Sequence, residues 1–177
     1  MNLPNKLSVA RVLCIPAIIT LLHFPEPACR IAAAALFIIG CLTDFLDGRI
    51  ARKRNLVTDF GKFIDPVADK LLVLTTLIML IHLSLMPAWI VIVILCRELA
   101  VDGLRMVAVT KGQVIAAGPL GKWKTACQMV LISAMLILNL SVFAAWPLTV
   151  LAGIVILLTI VSGVDYFMRN RSVLAEK

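Results

Sequence analysis

Six apolar stretches, each about long enough to cross a bilayer, take up most of this 177-residue chain: about 6–24, 30–50, 63–83, 87–108, 119–140 and 145–168. A helix needs roughly 20 mostly apolar residues to span the hydrocarbon core. Backbone groups in lipid must find their hydrogen bonds within the chain, which favours helices here over open strands. The sequence therefore predicts an all-α, polytopic membrane protein with six transmembrane helices, and one domain over 1–177. Prolines mark the joints. Pro25 and Pro27 separate the first pair, Pro87 opens the fourth stretch, Gly118-Pro119 opens the fifth, and Pro147 lies in the first turn of the sixth. Proline at a helix start costs no hydrogen bond. No internal repeat or low-complexity segment is present.

Composition agrees. Apolar residues make up 62% and charged residues 15%, with a mean hydropathy of +1.04; soluble domains average about 45–50% and about 25%. The net charge of +7 comes without a basic run interleaved with aromatics, so nucleic acid is not the expected partner. Anionic lipid headgroups and phosphate-bearing substrates fit better. Cys14, Cys29, Cys41, Cys96 and Cys127 form no CxxC pair and read as small core fillers. His23 and His82 read as isolated interfacial residues near helix ends. The first stretch follows only Lys6 and Arg11, lacks a persuasive cleavage site, and is expected to be a retained helix.

The loops set an orientation. Turns near 25–29, 84–86 and 141–146 hold no Lys or Arg. The opposite side carries Lys6, then Arg52, Lys53 and Arg54, then Lys111, Lys122 and Lys124, then Arg169, Arg171 and Lys177. Positive charge stays inside. Both termini are therefore expected in the cytoplasm, with the chain integral to a bacterial inner membrane.

The acids stand where a membrane protein pays to put them, less near helix ends than at the centre. Asp44 and Asp47 lie three apart near the cytoplasmic end of the second helix. Asp65 and Asp69 lie four apart near the start of the third. Each spacing puts its pair on one helix face, and an antiparallel hairpin through 51–62 brings the two faces to one depth. An acid at the centre of a span costs at least ~2.5–3.5 kcal/mol on insertion scales, so two facing pairs call for shared protons or bound cations. Asp59 and Asp165, each alone, read as solvated. Oxygen-only ligands select a hard ion, Mg²⁺ or Mn²⁺, and four carboxylates suit two ions. Gly48 and Ala51 keep the region open to a ligand, Arg52 offers a planar fork to phosphate, and Gly61 permits tight packing below.

Written out, the run is Asp44-x2-Asp47-Gly48-x2-Ala51-Arg52-x8-Gly61-x3-Asp65-x3-Asp69. It resembles the signature of the CDP-alcohol phosphotransferases at every fixed position, and six helices over the whole chain resemble that family's core. The resemblance implies that Asp44, Asp47 and Asp65 bind metal, with Asp69 as general base and further metal contact. It implies a CDP pocket from Asp44, Asp47, Gly48, Ala51 and Arg52, with Asn5 as a further lining residue. The acceptor hydroxyl would lose its proton to Asp69 and attack the β-phosphorus, expelling CMP. With no cytoplasmic-side His, and no Ser or Cys set beside a basic partner, direct displacement is favoured over a covalent intermediate. The resemblance also suggests a homodimer.

The acceptor is read from the second half. Arg97, Glu98, Asp102 and Arg105 interrupt the fourth helix, and Gly121-Lys122-Trp123-Lys124-Thr125 begins the fifth, where a helix N-terminus favours anions. A salt-bridged structural cluster is one reading. The other assigns Arg97, Arg105, Lys122 and Lys124 to an acceptor's phosphate. The opening run Asn2-Leu3-Pro4-Asn5-Lys6-Leu7-Ser8 with Arg11, the stretch Arg97-Glu98 through Gly103-Leu104-Arg105, and Gly121-Lys122 through Thr125 with Gln128 resemble the branch of the family that joins CDP-diacylglycerol to sn-glycerol 3-phosphate. Ser8 stands where Thr is usual. Family members that make cardiolipin or phosphatidylinositol phosphate share the aspartates and remain open. Outside the family, a membrane prenyltransferase has a different aspartate spacing. A non-enzymatic cation carrier leaves Arg52, Arg97 and Arg105 unexplained.

Overall fold

The computed structural model describes the backbone of residues 3–53, 59–113, 115–116 and 118–174, and the side chains of 9–43, 67–113, 115–116 and 118–173. Among these residues all regular structure is helical: α1 (Leu3–His23), α2 (Pro27–Lys53), α3 (Asp59–His82), α4 (Ala88–Thr110), α5 (Pro119–Leu138), α6 (Trp146–Arg169) and the single turn α7 (Arg171–Leu174). Six long helices stand where the six apolar stretches predict them; α7 is an addition.

Local chemistry sets the ends. Pro87 is the N-cap of α4, and Pro147 lies in the first turn of α6. α4 stops in a Schellman turn: Gly112 takes φ +71°, its N–H bonds Val109 O, and Gln113 N–H reaches back to Ala108 O at 2.9 Å. Glycine suits that left-handed position because it has no Cβ to clash. Ser84 ends α3 with the same pattern at φ 56°.

The backbone falls into two compact units: Met1–Leu85 with Ile132–Leu140, and Met86–Leu131 with Ser141–Lys177. In the first unit α1 packs on both α2 and α3. Its core holds Ile18 and Leu22 from α1, Ala33, Ala34 and Phe37 from α2, and Leu72, Leu77 and Leu80 from α3. The two alanines matter because lipid leaves little hydrophobic drive between helices, so close backbone approach and van der Waals contact carry the packing. In the second unit α4 packs on α6. Val101, Leu104 and Ala108 meet Tyr166 and Val173, with Ile115 and Phe167 against them. Lys111 Nζ donates to Val173 O at 2.7 Å and ties α7 to the end of α4.

The outward faces are apolar. On α6, Val150, Ile154, Leu157, Val161, Val164 and Met168 are exposed, while Leu148, Ala152, Val155, Thr159, Ser162 and Tyr166 are buried. Among the described residues α6 is the one helix long and apolar enough to cross a membrane by length and composition; Val9–His23 and Pro27–Thr43 are shorter apolar helices.

Two smaller expectations are corrected. The cysteines are not core fillers: Cys96 is exposed and the other four are half-buried. His23 and His82 do lie at helix ends, but they are not isolated. Their rings stack with centroids 6.4 Å apart and planes at 9°, because the ends of α1 and α3 meet there.

Candidate active site

The acidic site is built on α2 and α3. Both helices run unbroken through the motif, α2 through Asp44, Asp47 and Arg52, and α3 through Asp65 and Asp69. Gly40 shows how closely they approach. A Cβ placed on it would stand 2.8 Å from Leu72 Cδ2, so a larger residue would force the Leu72 side chain to shift. Gly40 and Leu72 each lie thirteen residues from the loop end of their helix, which sets the two antiparallel. Asp44 is one turn beyond Gly40 toward that loop, and Asp69 is one turn beyond Leu72 in the same direction. The backbone register thus brings an acid of each pair to one level.

Asp69 is half-buried, with its Oδ1 closed off from solvent. The side chains of Asn5, Asp44, Asp47, Arg52 and Asp65, with Gly48, Ala51 and Gly61 among them, lie outside the described residues. Arg11 is a feature the sequence reading placed only within the opening run. It is 3% exposed, and its Nε donates to Gly40 O at 3.2 Å. A buried guanidinium bonded one turn below Asp44 puts positive charge at the base of an acidic site. Its signal in the sequence is an arginine within an apolar stretch.

The second unit holds the basic cluster. Glu98 Oε1 accepts from Arg97 Nη1 at 3.1 Å and from Lys124 Nζ at 2.5 Å, which ties α4 to the start of α5. Arg97 runs between helices. Its Nη2 would stand 3.4 Å from a Cβ on Gly121 of α5, and its Cγ 3.2 Å from one on Gly163 of α6. The Gly163 position is tight for any Cβ, whereas a Cβ on Gly121 would make ordinary contact. Arg97 Nε is buried without a hydrogen-bond partner.

Arg105 is held differently. Its Nε donates to the Tyr166 hydroxyl at 3.1 Å, with its Cζ 5.5 Å from the ring centroid. Among the described residues it has no carboxylate partner. Tyr166 escaped the sequence reading, although the only tyrosine of the chain, near a helix end, was a signal. Lys122 and Lys124, adjacent in the motif, separate in the structure: Lys122 is exposed, and Lys124 is buried on Glu98. Glu98 thus holds Arg97 and Lys124, while Arg105 stands eight residues, about 12 Å, further along α4 on Tyr166. Asp165 pairs with Arg169 Nε at 2.7 Å on the surface, as a solvated acid does.

The family model described as CDP-alcohol phosphatidyltransferase matches residues 1–164. The chain belongs to the CDP-alcohol phosphatidyltransferase family. It is a transferase of that family, and two bacterial relatives match it over nearly their whole length. It is 46% identical over 96% of its length to the CDP-diacylglycerol–glycerol-3-phosphate 3-phosphatidyltransferase of Bacillus subtilis, of which it covers 95%. It is 41% identical over 94% of its length to the protein of the same name from Rickettsia typhi, also covering 95%. A CMP-forming cardiolipin synthase of Oryza sativa is more distant, at 35% over 89% of this chain and 52% of the plant protein.

Proposed function

We propose that this member of the family transfers a phosphatidyl group from CDP-diacylglycerol to sn-glycerol 3-phosphate, releasing CMP, in the synthesis of phosphatidylglycerol. The observation that carries this reading is the near full-length identity to phosphatidyltransferases named for that acceptor. The basic cluster supports it. Arg97 and Arg105, with exposed Lys122, suit a phosphate, since guanidinium forks bind its oxygens with charge-assisted bonds. Lys124, committed to Glu98, contributes by fixing that carboxylate and through it Arg97. A cardiolipin-forming reaction would need an acceptor the size of a whole phospholipid, for which no comparable observation speaks.

The donor end falls to Asp44, Asp47, Asp65 and Asp69, with Arg52, Gly48, Ala51 and Asn5 about the CDP. The donor set fits a hard divalent ion. All four residues offer carboxylate oxygen, and the one described acid, Asp69, has an oxygen closed off from solvent. Mg²⁺ or Mn²⁺ held there, as two ions, supplies charge to offset the diphosphate. Asp69 takes the proton from the acceptor hydroxyl, and the freed oxygen attacks the β-phosphorus. The bond from that phosphorus to the bridging oxygen breaks, and CMP leaves. Six spans with both termini in the cytoplasm, in a bacterial inner membrane, place this chemistry beside its soluble acceptor. The whole of 1–177 acts as one catalytic domain, and we read it as a homodimer.

The test is direct. Purified protein is incubated with CDP-diacylglycerol and a panel comprising glycerol 3-phosphate, glycerol, inositol phosphate and phosphatidylglycerol, scoring CMP and lipid product. Product with glycerol 3-phosphate alone is expected. Product with phosphatidylglycerol instead moves the chain to cardiolipin synthesis.

A further inference from the structure

On α5 the buried stripe of the second unit runs Lys124, Gln128, Leu131. Lys124 is satisfied by Glu98 and Leu131 has nothing to satisfy. Gln128 is the exception. It is 3% exposed, its Oε1 is buried without a hydrogen-bond partner, and its Nε2 has none among the described residues. Buried polar groups are nearly always paired, and one that is not asks for a reason. Apolar residues fill the neighbouring positions of this helix, so a leucine or methionine there would have packed at no such cost.

We infer that Gln128 reads a hydroxyl of the acceptor. A primary amide offers one acceptor oxygen and one donor nitrogen. A hydroxyl, which both donates and accepts, is complementary to it; a phosphate is not, because the amide oxygen would face negative charge. The placement agrees. Gln128 follows Lys124 by four residues, so it lies on the same face, one helical turn further along. Lys124 is joined through Glu98 to Arg97, whose buried Nε is likewise without a partner. An acceptor whose phosphate meets Arg97 has Gln128 on the face of α5 that carries Lys124. The terminal hydroxyl of sn-glycerol 3-phosphate is the one that reacts, which leaves the middle hydroxyl for the amide. Gln128 is then a specificity residue: it distinguishes a polyol phosphate from a simple hydroxyalkyl phosphate.

This rests on the acceptor reading above, and the test separates the two. Wild type and Gln128→Met are assayed with glycerol 3-phosphate and with 3-hydroxypropyl phosphate, which lacks only the middle hydroxyl. Wild type is expected to favour glycerol 3-phosphate by about tenfold or more in kcat/KM, because a site built to bond a hydroxyl rejects the analogue without it. Gln128→Met brings that ratio to within about threefold. Its ligand-free melting temperature in detergent holds or rises, because an unpaired amide has been removed; a structural glutamine would lower it. Gln128→Asn, which keeps the amide but withdraws it by one methylene, serves if the methionine variant fails to fold, and loses the discrimination as well. A retained wild-type ratio, or an equal loss on both acceptors, overturns the role of Gln128 alone. A wild type that uses neither phosphate overturns the acceptor reading and this inference with it.

Discussion

Arg105 and Tyr166 show how much a single contact decides. An arginine paired with Glu98 or Asp102 would be a structural brace. Bonded instead to a phenol, which carries no charge, it keeps its positive charge for a ligand. Arg105→Ala is expected to lower kcat/KM for glycerol 3-phosphate roughly 10- to 150-fold, the worth of a charge-assisted phosphate contact. Tyr166→Phe, which removes only the hydroxyl, costs about 2- to 12-fold, the range of a neutral hydrogen bond. In both variants the KM for CDP-diacylglycerol stays near the wild-type value, and steady-state kinetics with each substrate varied in turn checks it. The acids answer to a different test. Asp44→Asn and Asp65→Asn keep size and polarity but lose the charge a cation needs, so turnover falls by at least about a hundredfold. EDTA inactivates the wild type and Mg²⁺ or Mn²⁺ restores it. Full activity after thorough chelation would remove the metal from the reading.

At the scale of elements, the helices were legible because apolar runs of bilayer length, cut by proline, leave few alternatives. Pro87, Pro119 and Pro147 fell at or beside observed helix starts. α2 begins at Pro27 rather than near residue 30, since proline tolerates a first turn as well as it ends a loop. The four acids stood out in the sequence through their spacing, and the backbone puts Asp44 and Asp69 at one level. Contacts between distant helices were not. Arg11 on Gly40 O, Tyr166 on Arg105 and His23 on His82 join residues far apart in sequence, and no periodicity encodes which helices will touch. The glycines carry a related lesson. Gly153 and Gly163 look alike along α6, yet a Cβ on Gly153 meets nothing within 4 Å, while one on Gly163 would stand 3.2 Å from Arg97 Cγ. Gly163→Val is therefore expected to displace Arg97 and cut acceptor kcat/KM about tenfold or more, by the same phosphate-contact range. Gly153→Val leaves it unchanged. Equal behaviour of the two variants in the acceptor assay would show that Arg97 is not positioned through that gap.

The whole molecule poses a conflict between charge and hydrocarbon. Of its helices only α6 is apolar enough throughout to qualify as a span on composition among the described residues. α4 carries Arg97, Glu98, Asp102 and Arg105, and α2 and α3 carry the acids. Those charges are not scattered. The acids of α2 lie in its second half and those of α3 in its first half, the charges of α4 run from near its middle onward, and Phe24, Trp89, Phe143 and Trp146, near other helix ends, are exposed. Aromatic side chains suit a headgroup boundary. A helix whose acids keep to one part of its length can still span if that part faces a hydrated site, and an enzyme with a soluble acceptor needs one. The orientation then follows from the positive-inside bias. In a background without native cysteines, Pro27→Cys and Phe143→Cys are expected to react with an impermeant thiol reagent added to intact cells. Arg54→Cys and Gln113→Cys react only after the membrane is opened. The four positions test the alternation as well as the direction, since 27 and 143 lie at opposite ends of the chain. A six-span protein puts both on the outer face and both basic loops within. Labelling of position 54 from outside would invert the molecule and put its acids on the wrong side for a cytoplasmic acceptor. Labelling of 27 and 143 from opposite sides would mean that one of the charged helices between them does not cross.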